Sequence, residues 1–378
     1  MQKFEKHSPV VVTEVTTKHE LRQFMQYPNR LYADNPNYIP SFYGDDLSDW
    51  TPGKNPAFDY CEARCWLAWR DGEIVGRIGA ILSHKANDKF GTHRMRFSQV
   101  DFVDDSEVSA ALFGTVERWA RQKGCDQVHG PLGFTDMDRE GMLVEGFDRR
   151  SLFITNYNAP YYPEHLTRLG YRKDVDWIEY RISVPAPGSA EAERLHKLSE
   201  FILKRKHLHV ATLHHKSEYG PFVRQVFELV NAAYAPLYGV VELSDEQIER
   251  YANKFIPLVD PDFVCFVLDE QDKLVAFGVT TLDPSPALKH SDGRLFPFGW
   301  AEVLNDLHHG DTLIMLLTAV RPDLQTEGIN AVMMDHVCQS CNRHGVQFAE
   351  TGPMLELNDH ILAQWKRLQK EQHKRRRC

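Results

Sequence analysis

Two runs rich in β-forming residues, Ala63 to Arg70 and Glu73 to Leu82, flank Asp71-Gly72, and this predicts a hairpin closed by a tight turn. A strand candidate over Arg94 to Val103 follows. A helix is predicted next, over Ser106 to Lys123, because Val108, Leu112, Val116 and Trp119 recur at helical spacing and form one apolar stripe. Gly124 stops it, since glycine takes the left-handed turn at a helix end without steric cost. A short strand, Val128-His129, then runs into Gly130-Pro131.

The pattern returns further along. Phe263 to Leu268 and Lys273 to Leu282 flank a polar turn at Asp269 to Asp272, and Thr312 to Val320 reads as a strand. Ile329, Val332, Met333 and Val337 give a helix over Gly328 to Arg343, stopped by Gly345, and Ala349 to Thr351 runs into Gly352-Pro353. Hairpin, strand, helix, strand thus occurs twice, about 200 to 222 residues apart. The expectation is a duplicated α/β unit, each copy a mixed sheet flanked by helices. Val184 to Ser189 contains two prolines and a glycine and is read as the break between copies, giving domains 1–184 and 185–365 and a basic tail, 366–378. A helix pattern at Leu195, Leu198 and Ile202 begins after the break. The second copy also gains a helix over Pro221 to Ala235, with Phe222, Val226 and Val230 on one side, and another started by Ser244 with Gln247 as its capping-box partner.

Composition fits a globular chain: 378 residues, 42% hydrophobic and 26% charged. No run approaches the ~18 to 20 apolar residues of a membrane span, and Met1 to Val12 lacks the apolar core of a secretory signal. Seven cysteines, an odd number, suit reduced thiols, so a cytoplasmic and unprocessed protein is expected. The net charge is −9. Residues 366–378 hold seven basic side chains (Lys366, Arg367, Lys370, Lys374, Arg375, Arg376 and Arg377) and one acid, which leaves 37 basic against 52 acidic groups elsewhere, or −15. A body this acidic argues against a nucleic-acid partner. The tail suits either an anionic membrane surface, which would put the protein at the inner membrane face, or a solvated end.

The stretch Val320-Arg321-Pro322-Asp323-Leu324-Gln325-Thr326-Glu327-Gly328-Ile329-Asn330-Ala331 lies between a predicted strand and a predicted helix. Such a junction presents free backbone N–H groups and the positive end of a helix dipole, and a glycine there lets a pyrophosphate approach. Here the sequence resembles the GCN5-related N-acetyltransferase (GNAT) superfamily, whose acyl-CoA loop reads Gln/Arg-x-x-Gly-x-Gly/Ala. Gln325, Gly328 and Asn330 occupy those positions, and Asn330 departs from the pattern. The resemblance implies that Leu317, Thr318, Ala319 and Val320 form the strand whose backbone pairs with pantetheine. It also implies that the amides of Gln325, Thr326, Glu327, Gly328, Ile329, Asn330 and Ala331 hold the pyrophosphate. In the first copy the matching junction is Phe102-Val103-Asp104-Asp105-Ser106-Glu107, which has three acids and no glycine. Its carboxylates would repel a pyrophosphate, so only the second copy is expected to bind a CoA-type donor.

Further segments, among them Asn35-Pro36-Asn37-Tyr38-Ile39-Pro40, Gly141 to Asp148 and Asn156-Tyr157-Asn158, resemble a bacterial family of double-domain acyltransferase-like proteins that includes the bacterial ceramide synthases. That resemblance implies acylation of an amine, with a long fatty acyl group and a sphingoid-type lipid amine as the family's example, and a donor that is acyl-CoA or an acyl carrier protein. Acyl transfer to an amine needs a proton acceptor for the amine and a donor for the leaving thiolate. Glu350, beside the loop, and Glu356, before the following helix, are the candidate carboxylates; either also reads as a solvated or capping glutamate. Many acetyltransferases place a tyrosine seven residues after a helix-start asparagine, and counting from Asn358 gives Trp365, whose indole N–H cannot release a proton at neutral pH.

In the first half Asp138, Glu140, Glu145 and Asp148 crowd a glycine-punctuated segment that suits a cationic amine or a solvated loop. Tyr157 and Asn158 join Glu145 and Asp148 as candidate substrate contacts; aromatics beside Pro160 and Pro163 also pack helix starts. No metal is expected. His336, Cys338, Cys341 and His344 would point at about 0°, 200°, 140° and 80° around one helix, too wide a spread for one ion.

The expected activity is N-acyl transfer from a thioester to a primary amine. The alternatives are a non-catalytic acyl-CoA sensor or scaffold, motivated by Trp365, and an aminoacyl transferase of the peptidyl-bridge type, against which the −15 body argues because its donor is a tRNA.

Overall fold

Both predicted hairpins form, and each is joined by the strand predicted after it. The computed structural model describes residues 8–378. The chain divides into unit 1, up to residue 176 with 292–294 and 376–378, and unit 2, residues 177–291 and 295–375. Elements run in the order β1 (Val11–Glu14), α1 (Lys18–Leu31), α2 (Tyr43–Asp49), β2 (Cys61–Arg70), β3 (Glu73–Ser83), α3 (His84–Phe90), β4 (Arg94–Phe102), α4 (Ser106–Gln122), β5 (Gln127–His129), β6 (Met142–Glu145) and α5 (Tyr162–Arg168). They continue as β7 (Asp176–Ser183), α6 (Ala190–Lys206), β8 (His209–Val210), α7 (Gly220–Tyr234), α8 (Asp245–Phe255), β9 (Val264–Leu268), β10 (Leu274–Leu282), α9 (Ser285–His290), α10 (Gly299–His309), β11 (Thr312–Val320), α11 (Asn330–His344), β12 (Phe348–Thr351), β13 (Met354–Leu355), α12 (Asp359–Ala363) and β14 (Lys370–Arg377).

In unit 1 the sheet order is β1-β2-β3-β4-β5. Only β4 and β5 are parallel, because α4 carries the chain over the sheet between them. The stripe read from sequence is buried: Val108, Leu112, Val116 and Trp119 of α4 pack on Ile78, Ala80, Phe97 and Phe102. In unit 2 the strands are ordered β14-β7-β12-β11-β10-β9-β8, and β11 and β12 are again the parallel pair. Ile329, Val332 and Met333 pack on Cys265, Val267, Val275 and Ala276, the second copy of the same layer. The Ser244–Gln247 capping box is present at α8.

Two expectations change. The Pro-rich break at 184–189 falls after β7, and β7 pairs with β12 of unit 2, so the units divide near residue 176 instead of 184. Lys370–Arg377 of the basic tail form β14. Lys374 and Arg376 are at most 1% exposed. Lys374 reaches Glu179 and Glu350, each at 3.3 Å; Arg375 meets Glu356 at 3.4 Å, and Arg377 meets Asp176 at 2.8 Å. Burial of a lysine is tolerated only with such partners, and they engage Lys374, Arg375 and Arg377 of the seven basic side chains. Among the described residues no helix is long and apolar enough to cross a membrane.

Candidate acyl-donor site

The site of unit 2 begins with a fault in strand pairing. Beside β10, Val279 faces Leu317 and Thr280 faces Met315, which leaves Leu316 as an extra residue on β11. A bulge of this kind bends and twists its strand. β12 pairs with β11 only from Thr312 to Met315, so the two parallel strands part where the bulge begins. The opening is a cleft that encloses about 160 Å³ and is open to solvent. Met315, Leu316 and Leu317 line it from β11, Met333, Met334 and Val337 from α11, and Met354, Trp365 and Leu368 from the far side. Its wall is largely apolar, and the four methionines are side chains that adapt to a flexible guest.

The loop between β11 and α11 joins two residues that line the cleft, Thr318 of β11 and Asn330 of α11. Gly328 has φ +82°, a conformation that other residues adopt only with strain, and a Cβ there would stand 3.1 Å from Ile202. α11 starts at Asn330 with Ile329 in the cap position and no side-chain cap; the Ala331 and Val332 amides turn back to the Gly328 and Ile329 carbonyls, each at 2.9 Å. Thr326, Gly328, Ile329 and Asn330 donate to no backbone acceptor among the described residues. Gln325 donates its side-chain amide to the Val320 carbonyl at 3.3 Å, which ties the loop to the end of β11. Lys206, in the last turn of α6, meets Glu327 at 2.5 Å, and this contact holds the Glu327 carboxyl below its ordinary range.

Unit 1 has the same fault with the opposite outcome. Between the pairs Arg77–Asp101 and Gly79–Ser98, one residue of β3 faces two of β4, and Gln99 takes φ +46° in the bulge. The β4 edge is then covered. The Tyr162 hydroxyl accepts the Phe102 amide at 2.6 Å, and the Tyr161 hydroxyl donates to the Phe102 carbonyl at 2.5 Å. α4 is capped by Asp105, whose carboxylate accepts the amides of Glu107 (2.8 Å) and Val108 (3.4 Å) and pairs with Arg70. Burial alone would raise the Asp105 carboxyl; Arg70 and the two amides outweigh it and hold it below the ordinary range.

The residues singled out in sequence fall in different places. Glu350 lies between Ala349 and Thr351, which line the cleft, so strand alternation turns its side chain to the other face of the sheet. There it is 8% exposed and surrounded by Lys374, Arg181 (3.6 Å) and His373 (3.7 Å). Glu356 lies beyond β13 and is engaged with Arg375. Trp365 is buried in the cleft wall, and its indole N–H donates to the Met354 sulfur at 3.1 Å. Asn358 caps α12 by accepting the Ile361 amide.

In unit 1, Tyr157 and Asn158 border a small polar cavity of about 30 Å³ together with Arg77, Asp101, Asp46 and Arg139. Glu145 and Asp148 are exposed and do not join it. Asn158 acts as a splint, accepting the Leu143 amide (2.7 Å) and donating to the Leu143 carbonyl (3.0 Å). Asp138 accepts the amides of Phe134 and Thr135, and burial pushes nearby Glu140 well above the ordinary carboxylate range.

Sequence reasoning missed Tyr234. The stripe Phe222, Val226, Val230 continues four residues on to Tyr234, and that extension was the available signal. Tyr234 lines the cleft and donates its hydroxyl to the Thr318 carbonyl at 2.9 Å, on the open part of β11. Among the described residues no group of three or more His, Cys, Asp or Glu side chains could hold a metal ion.

No family model matches the chain. Across 97% of its length it is 27% identical to protein YghO of Escherichia coli, 94% of which is covered. Across 78% it is 28% identical to the bacterial ceramide synthase of Caulobacter vibrioides, 75% of which is covered. A tandem GNAT protein from the clavulanic acid biosynthesis pathway superposes with a TM-score of 0.53 at 14% identity, covering 97% of both chains. The fold is therefore the tandem GNAT fold, and the sequence resembles bacterial ceramide synthase.

Proposed function

We propose that this protein is an N-acyltransferase that holds an acyl thioester in unit 2 and passes its acyl group to a primary amine. One observation carries the reading: an open strand edge and an open helix N-terminus meet at the same apolar cleft. The donor's pyrophosphate would lie on the amides of Gln325 to Ala331, its pantetheine along Leu317 to Val320, and its acyl chain among the methionines. A wall this apolar suits a long fatty acyl group better than acetyl, because each buried methylene contributes ~0.8 kcal/mol. The likeness to bacterial ceramide synthase makes a sphingoid-type lipid amine the leading acceptor.

In the reaction the amine nitrogen attacks the thioester carbonyl carbon, a C–N bond forms, the C–S bond breaks, and the thiolate leaves with a proton. Tyr234 is proposed as the source of that proton, since it places a phenol on the cleft wall where Trp365 offers only an indole N–H. Glu350 faces away from the cleft and is held by Lys374, and Glu356 is held by Arg375, so the amine is proposed to give its proton to solvent water at the cleft mouth and not to either carboxylate.

The test is thermal stabilisation by acetyl-CoA and palmitoyl-CoA. A ligand that binds only the native state raises stability by RT ln(1 + [L]/Kd). Asn330→Asp adds a negative charge at the mouth of the loop in a position that favours α11, so it should fold and lose the effect. Larger stabilisation by palmitoyl-CoA, lost in that variant, is expected; no shift with either donor overturns the reading. A second reading, a non-catalytic acyl-CoA binder, is favoured by Trp365 at the position of the usual acid. It expects the same shifts with no amide formed when a long-chain amine is added.

A further inference from the structure

α6 follows the break between the sequence repeats, and nothing in the sequence gave it a role beyond linking them. Its last three residues are Lys204, Arg205 and Lys206, and its final turns lie against the loop between β11 and α11. Ile202 stands 3.1 Å from the position of a Gly328 Cβ, and Lys206 reaches Glu327 at 2.5 Å. Arg205 acts on the same carboxylate. Glu327 poses a problem for the donor reading, because a carboxylate inside an anion loop repels the anion. The loop can accept phosphates only if a cation offsets that charge and is itself able to move onto a phosphate oxygen.

We propose that the last turn of α6 is the second wall of the donor-phosphate site: Lys206, with Lys204 and Arg205 beside it, leaves Glu327 for a phosphate oxygen and selects a donor whose nucleotide carries several phosphates. The proposal rests on the reading of unit 2 as the donor site and deepens it. A three-residue cationic turn beside uncovered amides suits the clustered phosphates of CoA better than the single phosphodiester of a carrier protein's pantetheine arm. Unit 1 offers no equivalent, since Arg70 at its junction already pairs with both Asp105 and Glu107.

Calorimetric titration with adenosine 3′,5′-bisphosphate and with 4′-phosphopantetheine tests this on the full-length protein. The bisphosphate should bind more tightly than 4′-phosphopantetheine. Lys206→Met should weaken its binding about tenfold, whereas Glu327→Gln should tighten it several-fold, because the lysine is released and the repulsion removed. Opposite signs separate a phosphate ligand from a merely structural ion pair, which both variants would break alike. Equal losses in the two variants, or equal binding of the two probes by the native protein, overturn the proposal. If Lys206→Met binds normally while Asn330→Asp does not, the α6 wall falls and the donor loop stands. If the native protein binds neither probe, both fall.

Discussion

The two copies of one strand–helix junction are built alike and finished differently. Each has a bulged strand that parts from its parallel neighbour and a helix that starts beside the gap. Unit 1 fills the gap with its own side chains: Tyr161 and Tyr162 take the backbone of Phe102, and Asp105 takes the first free amides of α4. Unit 2 puts a single tyrosine on the strand edge and no side-chain cap on α11, and among the described residues the Gly328, Ile329 and Asn330 amides donate to no backbone acceptor. A duplicated fold thus keeps the same backbone fault twice, once as internal structure and once as an opening. Whether the fault is a site depends on a few side chains and is independent of topology.

The comparison breaks if both edges respond alike to loss of a hydroxyl. Tyr162→Phe should cost about 2 kcal/mol in urea unfolding, because Tyr162 is fully buried and the variant leaves the Phe102 amide without its acceptor. Tyr234→Phe should cost under ~0.5 kcal/mol, because the Thr318 carbonyl faces a cleft that admits water. Similar costs would show that unit 2 is as closed as unit 1. A smaller effect is expected at the helix starts. Asp105→Ala should lower stability by about 1 kcal/mol through loss of a cap, and should leave stabilisation by palmitoyl-CoA unchanged. A donor shift that grew in this variant would mean that uncapping alone makes a donor site.

Much of this architecture was legible because it is periodic. The stripe Val108, Leu112, Val116, Trp119 and the second stripe around Val332 name both helices, and the capping box at Ser244 appears as read. The bulge was not legible. Leu316 sits in an apolar run, and an extra residue exists only relative to the partner strand. β14 was hidden for a related reason: a run of lysine and arginine reads as solvated until Glu179, 195 residues away from Lys374, supplies the buried partner. Asn158 shows the converse. Its place beside Tyr157 made it a candidate contact for substrate, and only the fold brings Leu143, whose two backbone groups its carboxamide binds, within reach.

Acid offers the finest separation of the two junctions. The Asp105 carboxyl lies below its ordinary range in the folded protein, so its contribution is fully present above the unfolded value near pH 4 and is lost as pH falls through the folded one. Protonation removes the acceptor of the Glu107 and Val108 amides and weakens the pair with Arg70, a loss of about 0.5 kcal/mol at a partly solvated cap. Hydrogen exchange of those two amides, corrected for intrinsic rates, should therefore keep its protection at about pH 5 and lose it only below about pH 4, as the folded-state carboxyl takes up its proton. In unit 2 the acid-sensitive group at the junction is Glu327, likewise held below its range, but its partner is the Lys206 ammonium and no amide of α11. Its protonation frees a lysine and uncaps nothing, so Ile329 and Asn330 should exchange with the same low protection across that range. Equal acid response at the two helix starts would mean that α11 carries a cap of its own, and the open junction on which the donor site depends would be gone.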